Sequence, residues 1–160
     1  ATTGLPREQK LSLEAASMQI PVFFSANMSL GINLLVDLVK QAAAVLSDTF
    51  DIEIIEKHHN RKIDAPSGTA LLIADAINEV LSNKFQYVYD RHASRKRRSK
   101  NEIGIHAVRG GTIAGEHTVI FAGNDEIIEI NHSARSRDIF AEGALKAAAF
   151  IYGKSLVYIT

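Results

Sequence analysis

Hydrophobic and polar positions divide this chain into segments of recognisable period. Phe50, Ile52 and Ile54 alternate with Asp51 and Glu53, the period of two of a half-buried strand. Ala70, Ile73, Ala74, Ile77 and Leu81 then recur at helical spacing, so one short connection hands a strand to an amphipathic helix. Earlier, Pro6 opens a helix running to about Ala16, and Pro21 to Ser25 reads as a buried strand of the parallel kind. Ser29 caps a further helix carrying Leu34, Leu35, Leu38, Ala42 and Leu46, which stops at Ser47-Asp48-Thr49. Beyond Asn83 the pattern weakens until Ile103 to Val108, a strand ending at Gly110-Gly111. Glu116 to Ala122 and Glu126 to His132 form two more strands around a Gly123-Asn124-Asp125 turn. A final helix, from about Asp138 to Tyr152, carries Phe140, Ala144, Ala147 and Ile151 on one face and ends at Gly153.

The predicted fold is α/β: a mixed, four-stranded sheet from about Phe50 to His132, with helices over Ser29–Leu46 and Ala70–Leu81 covering one face. Ile55, Ile120 and Ile127 point to the other face, leaving an apolar surface for another subunit to bury.

Composition narrows the class. At 160 residues and 46% hydrophobic content the chain can bury a sizeable core. Its 18 cationic and 18 acidic side chains balance, so no global charge argues for nucleic acid or a membrane surface. There is no cysteine, hence no disulfide and no thiolate metal site. No apolar run is long enough to cross a bilayer and no signal peptide opens the chain, so the expected location is cytoplasmic.

The chemistry concentrates in Glu56 to Ala70, Glu-Lys-His-His-Asn-Arg-Lys-Ile-Asp-Ala-Pro-Ser-Gly-Thr-Ala. Pro66 sets an extended approach, Ser67 or Thr69 can cap the following helix, and Gly68 admits a ligand close to the backbone. The first-turn N–H groups are expected to face open space. A helix start of this kind attracts anions, and Lys62 adds a full charge beside it, an arrangement suited to a carboxylate-bearing substrate. His58 and His59 bring groups able to act as general acid or base there. Strict alternation would send these two histidines to opposite faces, so the chain must leave strand geometry for both to serve one site. His106, His117 and His132 lie within strands, where structural, hydrogen-bonded roles are the more common. No metal site is expected, because no zinc-type histidine pair with a nearby helical Glu occurs.

This run resembles the signature of the 4-hydroxy-tetrahydrodipicolinate (dihydrodipicolinate) reductases, Glu-x-His-His-x-x-Lys-x-Asp-x-Pro-Ser-Gly-Thr-Ala. Agreement extends to Thr2-Thr3-Gly4, Ser25 to Asn33, Glu102 to His106, Arg109-Gly110-Gly111, Gly115 to Thr118, His132 and Ser136-Arg137. The resemblance implies NADH- or NADPH-dependent reduction of a cyclic dicarboxylate in lysine and diaminopimelate biosynthesis. It assigns proton transfer to His58 and Lys62 and substrate contacts to His59, Ser67, Gly68 and Thr69. Contacts on the nicotinamide side fall to Ala1, Thr2, Thr3, Ser25, Ala26, Asn27 and Met28, with Ala1 standing where the family has Gly. It also implies a homotetramer formed through the sheets. Residues 1–29 and 138–160 would then belong to a dinucleotide-binding domain, and 30–137 to a substrate-binding and tetramerisation domain. No Gly-x-Gly-x-x-Gly loop occurs, so the chain reads as the C-terminal part of such an enzyme, expected to be inactive alone. Two other readings differ in class. One is a non-catalytic dicarboxylate-binding or oligomerisation module. The other is nucleic-acid contact by Arg91 to Lys100, which holds six Arg or Lys and no acid; without interleaved aromatics this run reads better as a solvated or substrate-steering loop.

Overall fold

A computed structural model describes residues 5–25, 27–154 and 158–159. The chain divides into two compact units, residues 1–33 with 137–160, and residues 34–136.

In the first unit, α1 (Arg7–Ser17) starts directly after Pro6. The short strand β1 (Val22–Phe23) pairs in parallel with a C-terminal strand (Tyr158–Ile159). The last helix (Asp138–Ile151) buries Gly143 alone, because a Cβ there would sit 1.7 Å from the Met28 carbonyl oxygen.

The second unit is built on a five-stranded mixed sheet. Its members are β2 (Asp51–His58), β3 (Gln86–Val88), β4 (Glu102–Arg109), β5 (Gly115–Ala122) and β6 (Ile127–Ala134), in the order β3-β4-β2-β5-β6. β2 runs parallel to β4 and antiparallel to β5. The mixed sheet matches expectation, but the expected four strands are five. Gln86–Val88 adds an edge strand on β4, three residues long and too short to display a period.

Two helices form the buried layer over one face. α2 (Leu30–Leu46) and α3 (Gly68–Val80) bury Leu35, Val39 and Ala43, and Ala70, Ile73, Ala74 and Ile77, respectively. Ile52, Ile54, Ile103, Ile105, Val119 and Phe121 supply the sheet side of the core. Of the apolar α2 residues read in the sequence, Leu35 is buried as part of the inward stripe, whereas Leu34 and Leu38 are exposed. This helix is apolar nearly all round, so composition alone leaves its inward face ambiguous.

Register places Ile55, Ile120 and Ile127 on the opposite face, as expected, with Ile127 65% exposed. That face is not simply apolar. Lys57 pairs with Glu116 at 3.1 Å, and the Thr118 hydroxyl donates to Asn131 at 2.5 Å.

Candidate active site around His58

The inward face of β2 carries Ile52, Ile54, Glu56 and His58. Two apolar residues followed by two ionisable ones on a buried face require partners, because an unpaired buried charge is costly. Arg109, at the end of the adjacent strand and in register with His58, meets that need. Its Nη1 and Nη2 donate to Glu56 Oε2 and Oε1 at 2.7 Å each, a bidentate geometry. Nη2 also donates to the Asp64 carbonyl at 2.6 Å, which fastens the signature loop to the sheet. Glu56 Oε1 further accepts from the Ser67 N–H at 2.9 Å, and Oε2 lies 2.6 Å from His58 Nδ1. Burial alone would raise the Glu56 pKa, but the hydrogen bonds from His58, Arg109 and Ser67 bring it down to about 2. Glu56 is therefore a carboxylate at neutral pH.

β2 ends at His58. Gly110 donates to the His58 carbonyl at 2.9 Å, and Asn60 to the Gly111 carbonyl at 3.2 Å, so the strand ends stay together while the chain turns away. His59 thus leaves strand alternation, as a shared site would require. Lys62 follows, its Nζ 2.8 Å from Asp64. Partial burial raises the Asp64 pKa, and the Lys62 hydrogen bond and charge, with the Gly68 N–H, more than reverse this. Of the first-turn donors expected to be open, the Ala70 N–H is taken by the Ser67 side chain. Ser67 is the N-cap of α3, its Oγ accepting from the Ala70 N–H at 3.2 Å. The same Oγ lies 3.2 Å from His117 Nε2, so the Ser67 side chain is engaged within the protein.

His117 forms one wall. Its ring stands edge-on to His58, with centroids 5.3 Å apart, and its pKa falls to about 3, chiefly through burial and secondarily through charge at His58. Burial thus favours the neutral form of His117. Gly115 forms another wall, where a Cβ would lie 3.1 Å from His58 Nε2. A cavity of about 430 Å³ adjoins this strand end, lined by Thr112, Ile113, Ala114, Glu116, Ser133 and Arg135 among others. Sequence reasoning named Arg109 only through the resemblance, read His117 as a structural strand histidine, and gave Glu56 no role of its own within the signature run. The signal for Glu56 was present in its inward position on β2.

The basic run is largely tied down. Arg98 donates to Glu53 at 3.0 Å, to Asp51 at 2.9 Å and to the Ile52 carbonyl at 3.1 Å, and Arg91 donates to Glu53 and Glu102. His106 Nε2 lies 2.7 Å from the other Glu53 oxygen. Glu102 is held to about 2 by hydrogen bonds from Ser99 and Arg91. Three of the run's cations, Arg91, Lys96 at 3.8 Å from Glu102, and Arg98, thus pair with sheet carboxylates.

Of the residues expected on the nicotinamide side, Ala1, Thr2, Thr3 and Ala26 lie outside the described residues. Ser25 Oγ donates to the Asn27 carbonyl at 2.9 Å, and Asn27 Oδ1 accepts from the Ser29 N–H at 2.8 Å. Asn27 and Met28 border a cavity of about 420 Å³ in the first unit, with Phe23, Leu30, Gly143 and Phe150. Among the described residues no group of three or more His, Cys, Asp or Glu is placed to hold a metal ion, and no helix is long and apolar enough to cross a membrane.

Residues 31–159 match the family model described as dihydrodipicolinate reductase, C-terminus. The chain is 65% identical over 154 residues to 4-hydroxy-tetrahydrodipicolinate reductase of Caldanaerobacter subterraneus subsp. tengcongensis, covering 96% of this chain and 61% of that protein. It is 57% identical to the protein of the same name from Clostridium tetani, covering 96% and 60%. A solved structure, dipicolinate-bound dihydrodipicolinate reductase from Paenisporosarcina sp. TG-14, superposes with a TM-score of 0.74 at 27% identity, covering 99% of this chain and 61% of that one. The chain spans about three fifths of the length of these relatives, and it belongs to the dihydrodipicolinate reductase family, as part of that family's C-terminal region.

Proposed function

We propose that this chain is the substrate-handling part of an enzyme that reduces 4-hydroxy-tetrahydrodipicolinate to tetrahydrodipicolinate with NADH or NADPH, the 4-hydroxyl leaving as water, in the cytoplasm. The observation that supports the reading is that one connection carries His58 at the end of β2, paired with Glu56, then Lys62, paired with Asp64, and then the Ser67-capped start of α3. Dipicolinate, a planar dicarboxylate, is bound by the Paenisporosarcina relative.

In this reading one substrate carboxylate takes Lys62 as its partner, exchanging with or joining Asp64, and the Gly68 and Thr69 main chain completes its seat. His59 and Ser67 contribute, Ser67 by holding the helix start in place. His58 and Lys62 supply the proton that balances reduction of the ring. The corner formed by Ser25, Asn27 and Met28, with its cavity of about 420 Å³, is large enough for a nicotinamide ring; Ala1, Thr2, Thr3 and Ala26 belong to the same proposed contact. The bound nicotinamide supplies the hydride. Assembly as a homotetramer through the face carrying Ile55, Ile120 and Ile127 is part of the proposal.

Steady-state kinetics of the full-length parent tests this reading. His58→Ala lowers kcat by about 10²–10⁴-fold, the usual range for a positioned acid or base, Lys62→Ala lowers it strongly, and His59→Ala acts mainly through substrate binding. Near-normal turnover of both His58→Ala and Lys62→Ala, with the protein folded, overturns it.

A further inference from the structure

The geometry points to Glu56, clamped by Arg109, as a positioning residue that fixes the proton of neutral His58 on Nδ1 and so presents Nε2 as the atom that exchanges protons with substrate.

A carboxylate can only accept. Its Oε2 lies 2.6 Å from His58 Nδ1, a distance at which two bare acceptors would repel, so Nδ1 carries hydrogen and the neutral ring leaves Nε2 unprotonated. Glu56 cannot turn away. Arg109 donates to both of its oxygens, the Ser67 N–H holds Oε1, and the side chain is fully buried. Nε2 in turn lies toward Gly115, the strand position where a Cβ would crowd it at 3.1 Å. Arg109 also compensates the buried Glu56 charge, so the carboxylate orients the ring whether or not His58 is protonated. Neither ring nitrogen of His117 bonds Glu56: Nε2 faces the Ser67 hydroxyl, and Nδ1 has no hydrogen-bond partner among the described residues. The inference deepens the role given above to His58 and rests on that reading for its catalytic meaning, although the tautomer itself is a property of the ligand-free chain.

Glu56→Gln yields a sharp expectation. The Oε1 position receives two fixed donors, Ser67 N–H and Arg109 Nη2, whereas Oε2 receives one fixed donor, Arg109 Nη1, and the His58 ring. A glutamine amide therefore loses least by keeping its oxygen at Oε1 and turning its NH₂ group toward His58. Nδ1 must then accept, and the proton moves to Nε2.

Long-range ¹H–¹⁵N spectra of this chain, recorded where His58 is neutral, read the tautomer directly. Wild type is expected to show a protonated Nδ1 and a bare Nε2, and Glu56→Gln the reverse. In the full-length parent the same substitution is expected to lower kcat about 10²-fold or more, with little change in KM for the dicarboxylate. An Nε2–H tautomer in wild type overturns the proposal, and this arm stands even if the variant fails to fold. An unchanged Nδ1–H tautomer in folded Glu56→Gln overturns it equally. Dicarboxylate binding is scored separately, so failure of the tautomer and failure of the reductase reading are distinguishable.

Discussion

Gly115 faces the Nε2 edge of His58: a Cβ at that position would stand 3.1 Å from Nε2 and 3.4 Å from Cδ2. The missing side chain leaves the room that the His58 ring occupies. Gly115→Ala is therefore expected to cost the fold no more than about 1–3 kcal/mol, the range for a small overpacking change. The full-length parent should lose at least roughly tenfold in kcat, because a displaced imidazole loses its alignment. Paired thermal melts and steady-state kinetics check this, and unchanged kcat would contradict the assigned orientation of His58.

Gly104 has a comparable role on the opposite face. A Cβ there would lie 1.8 Å from Glu53 Oε2, and Glu53 is held by Arg91, Arg98 and His106. Gly104→Ala should displace the carboxylate, release both arginines and destabilise the chain by about 1–3 kcal/mol. Limited trypsin digestion should then cut faster at Arg95, Lys96 and Arg97. An unchanged cleavage rate would show that these ion pairs do not hold the segment.

Stability should fall on mild acidification. His117 titrates at about 3 in the fold, chiefly because it is buried, against an ordinary value of 6.5. Between those values the unfolded chain binds the extra proton, so stability decreases as pH drops through this window. His132, also lowered by burial, acts in the same direction. Glu56 adds a second stage: its contribution is present above its ordinary 4.5 and is lost as pH falls toward about 2. Urea midpoints should decline between pH 7 and pH 5, and His117→Gln should flatten that decline. A pH-independent midpoint in wild type over this range would contradict the burial of a neutral His117.

Assembly provides a fourth expectation. The face bearing Ile55, Ile120 and Ile127 should be covered between subunits, and Ile120→Asp should break the assembly by placing a charge in that contact. Light scattering at micromolar concentration is expected to give a tetramer for wild type and a smaller species for the variant. A monomeric wild type would refute the proposed interface.

Local signals carried much of the site into view. The alternation of Phe50 to Ile54 and the Ser67 cap specify a strand, a loop and a helix start with no tertiary information, and the structure places them as read. Three other features depend on contacts distant in sequence. The Glu56–Arg109 clamp joins residues 53 apart, and no local period encodes it. β3 is held at the sheet edge by β4 rather than by its own three residues. The inward stripe of α2 falls on Leu35 and Val39 rather than Leu34 and Leu38, a choice between equally apolar neighbours that the packed sheet makes.

The central claim is that the Glu56 to Ala70 loop is a dicarboxylate site. The most direct test is an NMR titration of this chain with dipicolinate, followed residue by residue in wild type and Lys62→Ala. The account predicts shifts centred on His58, His59, Lys62, Gly68 and Thr69 that saturate in wild type and are largely lost in Lys62→Ala. Absence of saturable shifts at these positions, or shifts confined to the basic segment from Arg91 to Lys100, would contradict it.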